Sequence, residues 1–213
     1  LRAVLIRTGA NEHRLVLTNH HIVLDGWSLQ ILLHEIVASY GGQRPLSPPP
    51  YRRFVTWLAD RDIKAAHNAW RDLFAGFETP TLVGPPQRLG FTRRAVHSVQ
   101  LAAALGSALA QLARTQRTTL NVVLQAAWVQ LLSILTGQQD VAFGTTVAGR
   151  PAELPGAESM VGLFINTVPV RAKLTATTTT TQLLDQLQAV HNDTVEHQHV
   201  PLSEVHRVAG LDA

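Results

Sequence analysis

The chain has 213 residues, which suits one domain or two small ones, and its apolar share of 46% is that of an ordinary globular protein. The formal net charge is only +3 and no run of five basic residues occurs, which argues against binding to nucleic acid. Cysteine is absent, which excludes disulfides, thiolate metal sites and a cysteine nucleophile, and fits the reducing cytoplasm.

The N-terminal part predicts a β-hairpin followed by a helix. Two apolar runs, 3–6 and 15–17, flank a polar turn, which is typical of paired strands. From Trp27 the apolar residues recur at helical spacing until Gly41 and Gly42 end the pattern. Residues 20–28 therefore connect a strand to a helix, where functional side chains often lie.

The rest of the chain alternates between helices and strands, which indicates an α/β or α+β fold. Apolar spacing predicts helices at 63–73, 101–116, 118–135 and 182–197, the last capped at its start by Thr181, the last threonine of the run 175–181. Strands are expected around 95–99, 140–144 and 162–170. The stretch 119–135 is too short for a membrane span of about 20 residues, so we expect no membrane segment.

A histidine pair marks the connection between hairpin and helix. His20 and His21 end the second strand, and Asp25 and Gly26 follow just before the helix. Imidazole moves protons near neutral pH, and the free N–H groups of a helix start can stabilise an oxyanion. Two alternatives remain at this level: a histidine pair with no catalytic role, or a metal site of two histidines and one carboxylate.

Several motifs in order carry a family resemblance. The sequence Asn-His-His-Ile-Val-Leu-Asp-Gly-Trp-Ser at 19–28 resembles the HHxxxDG motif of condensation domains of nonribosomal peptide synthetases, members of the chloramphenicol-acetyltransferase-like superfamily. Further similar motifs lie at 51–57, at 143–151 with Gly-Arg-Pro, at 161–171 with Phe-Ile-Asn-Thr, and at 197–202. Arg53, His199 and Leu202 depart from the family pattern.

The resemblance implies a two-lobed sandwich that is incomplete at both ends of this sequence. The lobes would be 1–80 and 95–213, with a linker at 81–94. Early family motifs are expected before Leu1 and the last strands after Ala213, so we expect the isolated 213 residues to be inactive. The implied reaction is amide formation between a donor acyl, aminoacyl or peptidyl thioester and the amine of an acceptor aminoacyl thioester.

Residue roles follow from the resemblance for the central motif. His21 would lie in a tunnel between the lobes, where it removes a proton from the acceptor amine or orients the amine and stabilises the tetrahedral intermediate. Asp25 would hold the loop through an arginine, either Arg150 or one upstream of this sequence. His20 would be a packing residue rather than a base.

Supporting roles fall to four other positions of the motifs. Gly26 and Ser28 would line the tunnel or position the thioester, and Trp27 belongs to the same motif. Asn166 would either reach the tunnel or make a strand hydrogen bond. No intrinsic cofactor or metal is implied, since the substrates arrive on the 4'-phosphopantetheine arms of upstream and downstream peptidyl carrier domains, beside an adenylation domain.

Three other functions share part of this pattern. Epimerisation domains have the HHxxxDG motif, but the Trp-Ser pair at 27–28 and the Phe-Ile-Asn-Thr stretch favour condensation. An acyltransferase that uses coenzyme A would resemble the family only at the histidine motif. A catalytically silent domain that docks carrier proteins is the third, and the intact motif argues against it.

Overall fold

The computed structural model describes residues 1–84 and 96–211. Most of the predicted linker, from residue 85 onward, lies outside the described residues. The strands are Arg2–Arg7 (β1), His13–Thr18 (β2), Asp140–Val147 (β3) and Asn166–Lys173 (β4). The α-helices are Gly26–Tyr40 (α1), Arg52–Ala59 (α2), Ile63–Phe74 (α3), Ala103–Thr115 (α4), Leu120–Thr136 (α5), Thr180–Thr194 (α6) and Leu202–Ala209 (α7).

The chain packs as two compact units, each composed of two segments. The first contains Leu1–Asp62 and Thr146–Asn166, and the second contains Ile63–Thr145 and the chain from Thr167 onward. These units are groups of residues that pack together, and the two lobes expected from the resemblance remain a prediction. The mixed α/β composition is confirmed by the alternating helices and strands.

The predicted hairpin and the helix after it are both present in the first unit. Strands β1 and β2 pair antiparallel, from Arg2 opposite Thr18 to Arg7 opposite His13. Helix α1 begins after Asp25, whose side chain accepts a hydrogen bond from the backbone of Ser28, and ends at Gly41. An Asp at this position satisfies one of the N–H groups that a helix start leaves without a partner.

A core cluster rich in aromatic side chains surrounds helix α2 in the first unit. Phe54 of α2 stacks on Trp57 with ring centroids 5.7 Å apart, and lies 4.5 Å from the ring of Phe164. Tyr51 meets Phe164 edge to face at 5.2 Å. Met160, with no exposed surface, completes the cluster. Helix α2 therefore packs against residues 154–164, which are about 100 residues away in sequence.

The second unit is built on helices α4, α5 and α6 against strands β3 and β4. Its core includes Val129, Val141, Leu183 and Leu187, each almost fully buried. Arg171 of β4 donates to both carboxylate oxygens of Asp140, at 2.8 and 2.6 Å, and to the carbonyls of Leu73 and Ala75. Four hydrogen bonds thus compensate the burial of this arginine.

Several predicted boundaries are corrected. Residues 96–99 form no strand in the described part of the chain, and the strand predicted at 162–170 runs instead over Asn166–Lys173. Helix α6 is capped by Thr179 in a capping box with Gln182, so it starts two residues earlier than expected. It ends at Thr194, where a short 3-10 helix, Val195–His197, follows.

No single described helix is long and apolar enough to cross a bilayer. Helices α4 and α5 meet that length and composition only as a pair, across a bend of 105°.

Candidate active site

The histidine pair lies on a short turn between strand β2 and helix α1. Residues His21–Val23 form a 3-10 helix, and His20 caps it, because its Nδ1 accepts a hydrogen bond of 3.1 Å from the backbone N–H of Ile22. The ring of His20 is exposed here and holds the backbone of the turn, and its expected packing role stays a prediction. The imidazole of His21 is also exposed, so it is available to a reactant.

Asp25 anchors the end of this turn. Its side chain accepts the backbone N–H of Ser28 at 2.8 Å on Oδ1, and those of Phe164 and Ile165 at 3.0 and 3.2 Å on Oδ2. The residue is only 3% exposed. Asp25 therefore does two things at once, since it caps α1 and fixes residues 164–165 against the helix start.

The protonation of Asp25 follows from these contacts. Burial alone raises the pKa of the carboxyl group, but the hydrogen bonds from Ser28, Phe164 and Ile165 favour the charged form more strongly, so its pKa lies below the ordinary value. Asp25 is thus a carboxylate whose two oxygens are already occupied. Such a group holds structure and does not exchange protons near neutral pH.

Arg150 is the arginine that this chain places beside Asp25. Its Nη2 lies 3.4 Å from Oδ1 of Asp25 and donates a shorter hydrogen bond of 2.9 Å to Oγ of Ser28. Its Nη1 donates to the carbonyls of Ala157 and Met160, the latter at 2.9 Å. The guanidinium also lies 4.0 Å from the ring centre of Phe164. Burial lowers the pKa of Arg150 and the nearby Asp25 charge opposes that shift, so the group stays protonated.

Ser28 is completely buried, which argues against its expected role of lining the tunnel or positioning the thioester. Its hydroxyl donates to the carbonyl of Gly162 at 2.7 Å and accepts from the N–H of Gly162 at 3.0 Å. With the bond from Arg150, every hydrogen-bonding capacity of the hydroxyl is used. A direct contact between Ser28 and a thioester is therefore ruled out in this arrangement.

Gly26, Trp27 and Asn166 lie around this cluster. A Cβ atom at Gly26 would meet nothing within 4 Å, and its φ is not positive, so the backbone here does not need glycine. Trp27 is 53% exposed and its indole N–H donates to the carbonyl of Glu158 at 3.0 Å. Asn166 is half-buried at the first position of β4.

The backbone of residues 160–165 is the part of the site that the sequence analysis missed. The N–H groups of Gly162, Phe164 and Ile165 point to Ser28 and Asp25. Because these N–H groups are bonded to side chains, they are not available to a neighbouring strand. Strand β4 therefore starts only at Asn166, later than predicted. The motif at 161–171 marked the segment, but a motif does not show which backbone groups bind which side chains.

We expect glycine to be required at 162 but not at 26. A Cβ atom on Gly162 would lie 2.0 Å from the ring of Tyr51, whose hydroxyl is held by the carbonyl of Leu163. Gly162→Ala should therefore lower the free energy of unfolding by about 1–3 kcal/mol or more, the range for overpacked sites. The matched change Gly26→Ala should be neutral or stabilise α1 by up to about 1 kcal/mol.

Denaturant unfolding of both variants measures this difference. Equal stability of the two variants would contradict the close packing of Tyr51 on Gly162.

Within the described residues, no group of three or more His, Asp or Glu side chains is arranged to hold a metal ion. The alternative of a metal site made by the two histidines and one carboxylate gains no support from the geometry of Asp25, whose oxygens are bound by backbone N–H groups and Arg150.

Comparison with known proteins gives a consistent result. The condensation domain model matches residues 1–212. Chondramide synthase cmdD of Chondromyces crocatus is 41% identical over 97% of this chain and 6% of its own length. Surfactin synthase subunit 3 of Bacillus subtilis (strain 168) is 37% identical over 96% of this chain and 17% of its own length.

Solved structures show the same fold. The X-domain from teicoplanin biosynthesis superposes with a TM-score of 0.77 at 24% identity, over 100% of this chain and 51% of that domain. The first condensation domain of the calcium-dependent antibiotic synthetase gives 0.76 at 21% identity, over 98% and 51%. The chain thus spans about half the length of these structures and a small part of its curated relatives. With the family model matched over nearly every residue, the chain belongs to the condensation domain family, with the chloramphenicol-acetyltransferase-like fold that its motifs predicted.

Proposed function

We propose that this chain carries the central part of a domain that forms amide bonds in nonribosomal peptide synthesis. The observation that carries the proposal is an exposed His21 on a turn fixed at both ends. His20 caps the turn at its start, and Asp25 holds its end by hydrogen bonds to α1 and to residues 164–165. An imidazole held in this way can be positioned against a reactant.

The reaction would proceed by attack of the acceptor amine on the donor thioester carbonyl. The C–N bond forms, the tetrahedral intermediate collapses, and the thiol of the donor's phosphopantetheine arm leaves with a proton that comes from the amine. His21 would remove that proton, or would orient the amine and stabilise the charged intermediate. Asp25 and Arg150 would take no part in proton transfer, because their hydrogen bonds and mutual charge keep both ionised.

The partners that we propose follow from the same reaction. Upstream and downstream peptidyl carrier domains would bring the donor and the acceptor on 4'-phosphopantetheine, and an adenylation domain would lie next to this domain in the cytoplasm. The similarity to synthases and synthetase subunits supports this set of neighbours. Because the chain spans about half of the solved domains, we expect activity only from the complete domain.

A reconstitution experiment tests the proposed function. The complete domain containing this chain is mixed with one carrier protein loaded with a donor aminoacyl thioester and another loaded with an acceptor. Mass spectrometry of the acceptor carrier should show a dipeptide. A donor thioester that only changes its stereochemistry would indicate epimerisation, and binding of carriers without any turnover would indicate a silent docking domain.

Those two alternatives are not separated from condensation by the fold alone. The X-domain of teicoplanin biosynthesis shares the fold and has been crystallised in a complex with OxyB. Condensation is favoured here by the Trp-Ser pair at 27–28 and by the Phe-Ile-Asn-Thr stretch of the motif at 161–171.

A further inference from the structure

The hydroxyl of Ser28 is the point where three parts of the first unit meet. It belongs to the first turn of α1, it bonds to both backbone groups of Gly162, and it accepts from Arg150. No other described side chain of the site binds the N–H and the carbonyl of one residue together. Its zero exposure means that water cannot replace these bonds.

These bonds connect the two sides of the proposed reaction site. Asp25, three residues before Ser28, ends the turn that presents His21. Gly162 begins the stretch that leads, four residues later, to Asn166 at the start of β4. The N–H of Asp25 also donates to the carbonyl of Gly162, at 3.2 Å. A shift of Gly162 would therefore change the position of Asn166 relative to His21.

We propose that Ser28 is a positioning residue of the condensation reaction: its hydroxyl fixes Gly162 to the first turn of α1 and so sets the position of Asn166 relative to His21. The inference rests on the proposed function, in which His21 faces the reactants, and it takes for Asn166 the first of its two expected roles, that of reaching the tunnel. Ser28 itself touches no substrate, because its hydroxyl is buried and fully bonded.

Loss of the hydroxyl should act on turnover more than on binding. In Ser28→Ala the N–H of Gly162 has no acceptor, and Nη2 of Arg150 keeps only its longer contact to Asp25. We expect kcat for dipeptide formation to fall about 10- to 100-fold, because small misplacements of catalytic groups have effects of this size. The KM for the acceptor carrier should stay nearly constant, since a side chain with no exposed surface cannot contact the carrier.

Amide hydrogen exchange supplies a readout that does not depend on activity. In Ser28→Ala the amide of Gly162 should exchange faster, and those of Phe164 and Ile165, which Asp25 also holds, should exchange faster by a smaller factor. Ser39→Ala is the matched control, since Ser39 lies on the same helix with an exposed side chain. Ser28→Cys keeps the size of the side chain with a weaker hydrogen-bonding group, and should lower kcat in the same direction if Ser28→Ala does not fold.

Four forms of the complete domain are assayed with both loaded carriers: the unmodified domain, Ser28→Ala, Ser28→Cys and Ser39→Ala. A fall in kcat with faster exchange at Gly162, absent from Ser39→Ala, is the expected result. Normal kcat despite faster exchange, or a rise in KM at constant kcat, would overturn the positioning role. Absence of dipeptide from the unmodified domain would instead show that the proposed function itself fails, whatever the exchange rates are.

Discussion

Replacing His21 with alanine in the complete domain should lower dipeptide formation by about 100- to 10,000-fold, the range for loss of a general acid or base. Two exposed imidazoles lie on the turn between β2 and α1, and that of His20 caps the turn, whereas Asp25 and Arg150 are buried and occupied by their own partners. Single-turnover assays with both loaded carriers, followed by mass spectrometry, measure the rate of the chemical step.

The control for this experiment is His34→Ala, because His34 is an exposed histidine on helix α1, which follows the turn that carries His21. Its removal should leave the dipeptide rate within about two-fold of the unmodified domain, as expected for a surface substitution. If dipeptide formation survives His21→Ala at the normal rate, the family assignment stands but the role given to His21 is wrong.

Replacing Asp25 with alanine should destabilise the protein by about 3–5 kcal/mol, the range for removing one partner of a buried charged pair. Three backbone N–H groups would lose their acceptor, and Arg150 would keep a buried charge without its counterion. Since domains are stable by only about 5–15 kcal/mol, this change approaches complete unfolding. Urea unfolding followed by circular dichroism measures the loss.

Asp25→Asn keeps the size of the side chain but replaces one oxygen with an NH₂ group. Because both oxygens of Asp25 accept hydrogen bonds, one backbone N–H would then face another donor. We expect a loss of about 1.5–3 kcal/mol, as for hydrogen bonds to a charged group. The exposed Asp60, just after α2, provides the control Asp60→Asn, and equal stability of the two asparagine variants would contradict the anchoring role of Asp25.

The contribution of Asp25 should also depend on pH in a defined direction. Its pKa in the folded protein lies below the unfolded value of about 3.9. The stabilisation is therefore complete above that value and is lost as the pH falls through the lower, folded pKa. The stability difference between the unmodified protein and Asp25→Asn should be constant near neutral pH and decrease below about pH 4. A constant difference down to the most acidic condition would contradict the lowered pKa.

The helices and the hairpin could be predicted from the sequence because they depend on neighbouring residues. Apolar spacing located α1, α3, α4 and α5, and the paired apolar runs located β1 and β2. Helices α2 and α7 were missed because each spans only eight residues, Arg52–Ala59 and Leu202–Ala209, too few for a clear periodic pattern. The strand predicted at 162–170 began too early, since apolar composition does not show where backbone donors find their acceptors.

By itself, the sequence determined the family, the order of most of the elements and His21 as the candidate catalytic residue, because ordered motifs and local periodicity are properties of the chain. Only the tertiary structure showed which of the neighbouring motif residues, such as Asp25 and Ser28, are buried. Ser28 and Gly162 are 134 positions apart in sequence, and Asp25 and Arg150 are 125 apart. No local pattern encodes such pairs, since hydrogen bonds between distant segments form only when packing brings the segments together. Ser28, which the resemblance placed at the tunnel or the thioester, is instead buried and connects helix α1 to Gly162.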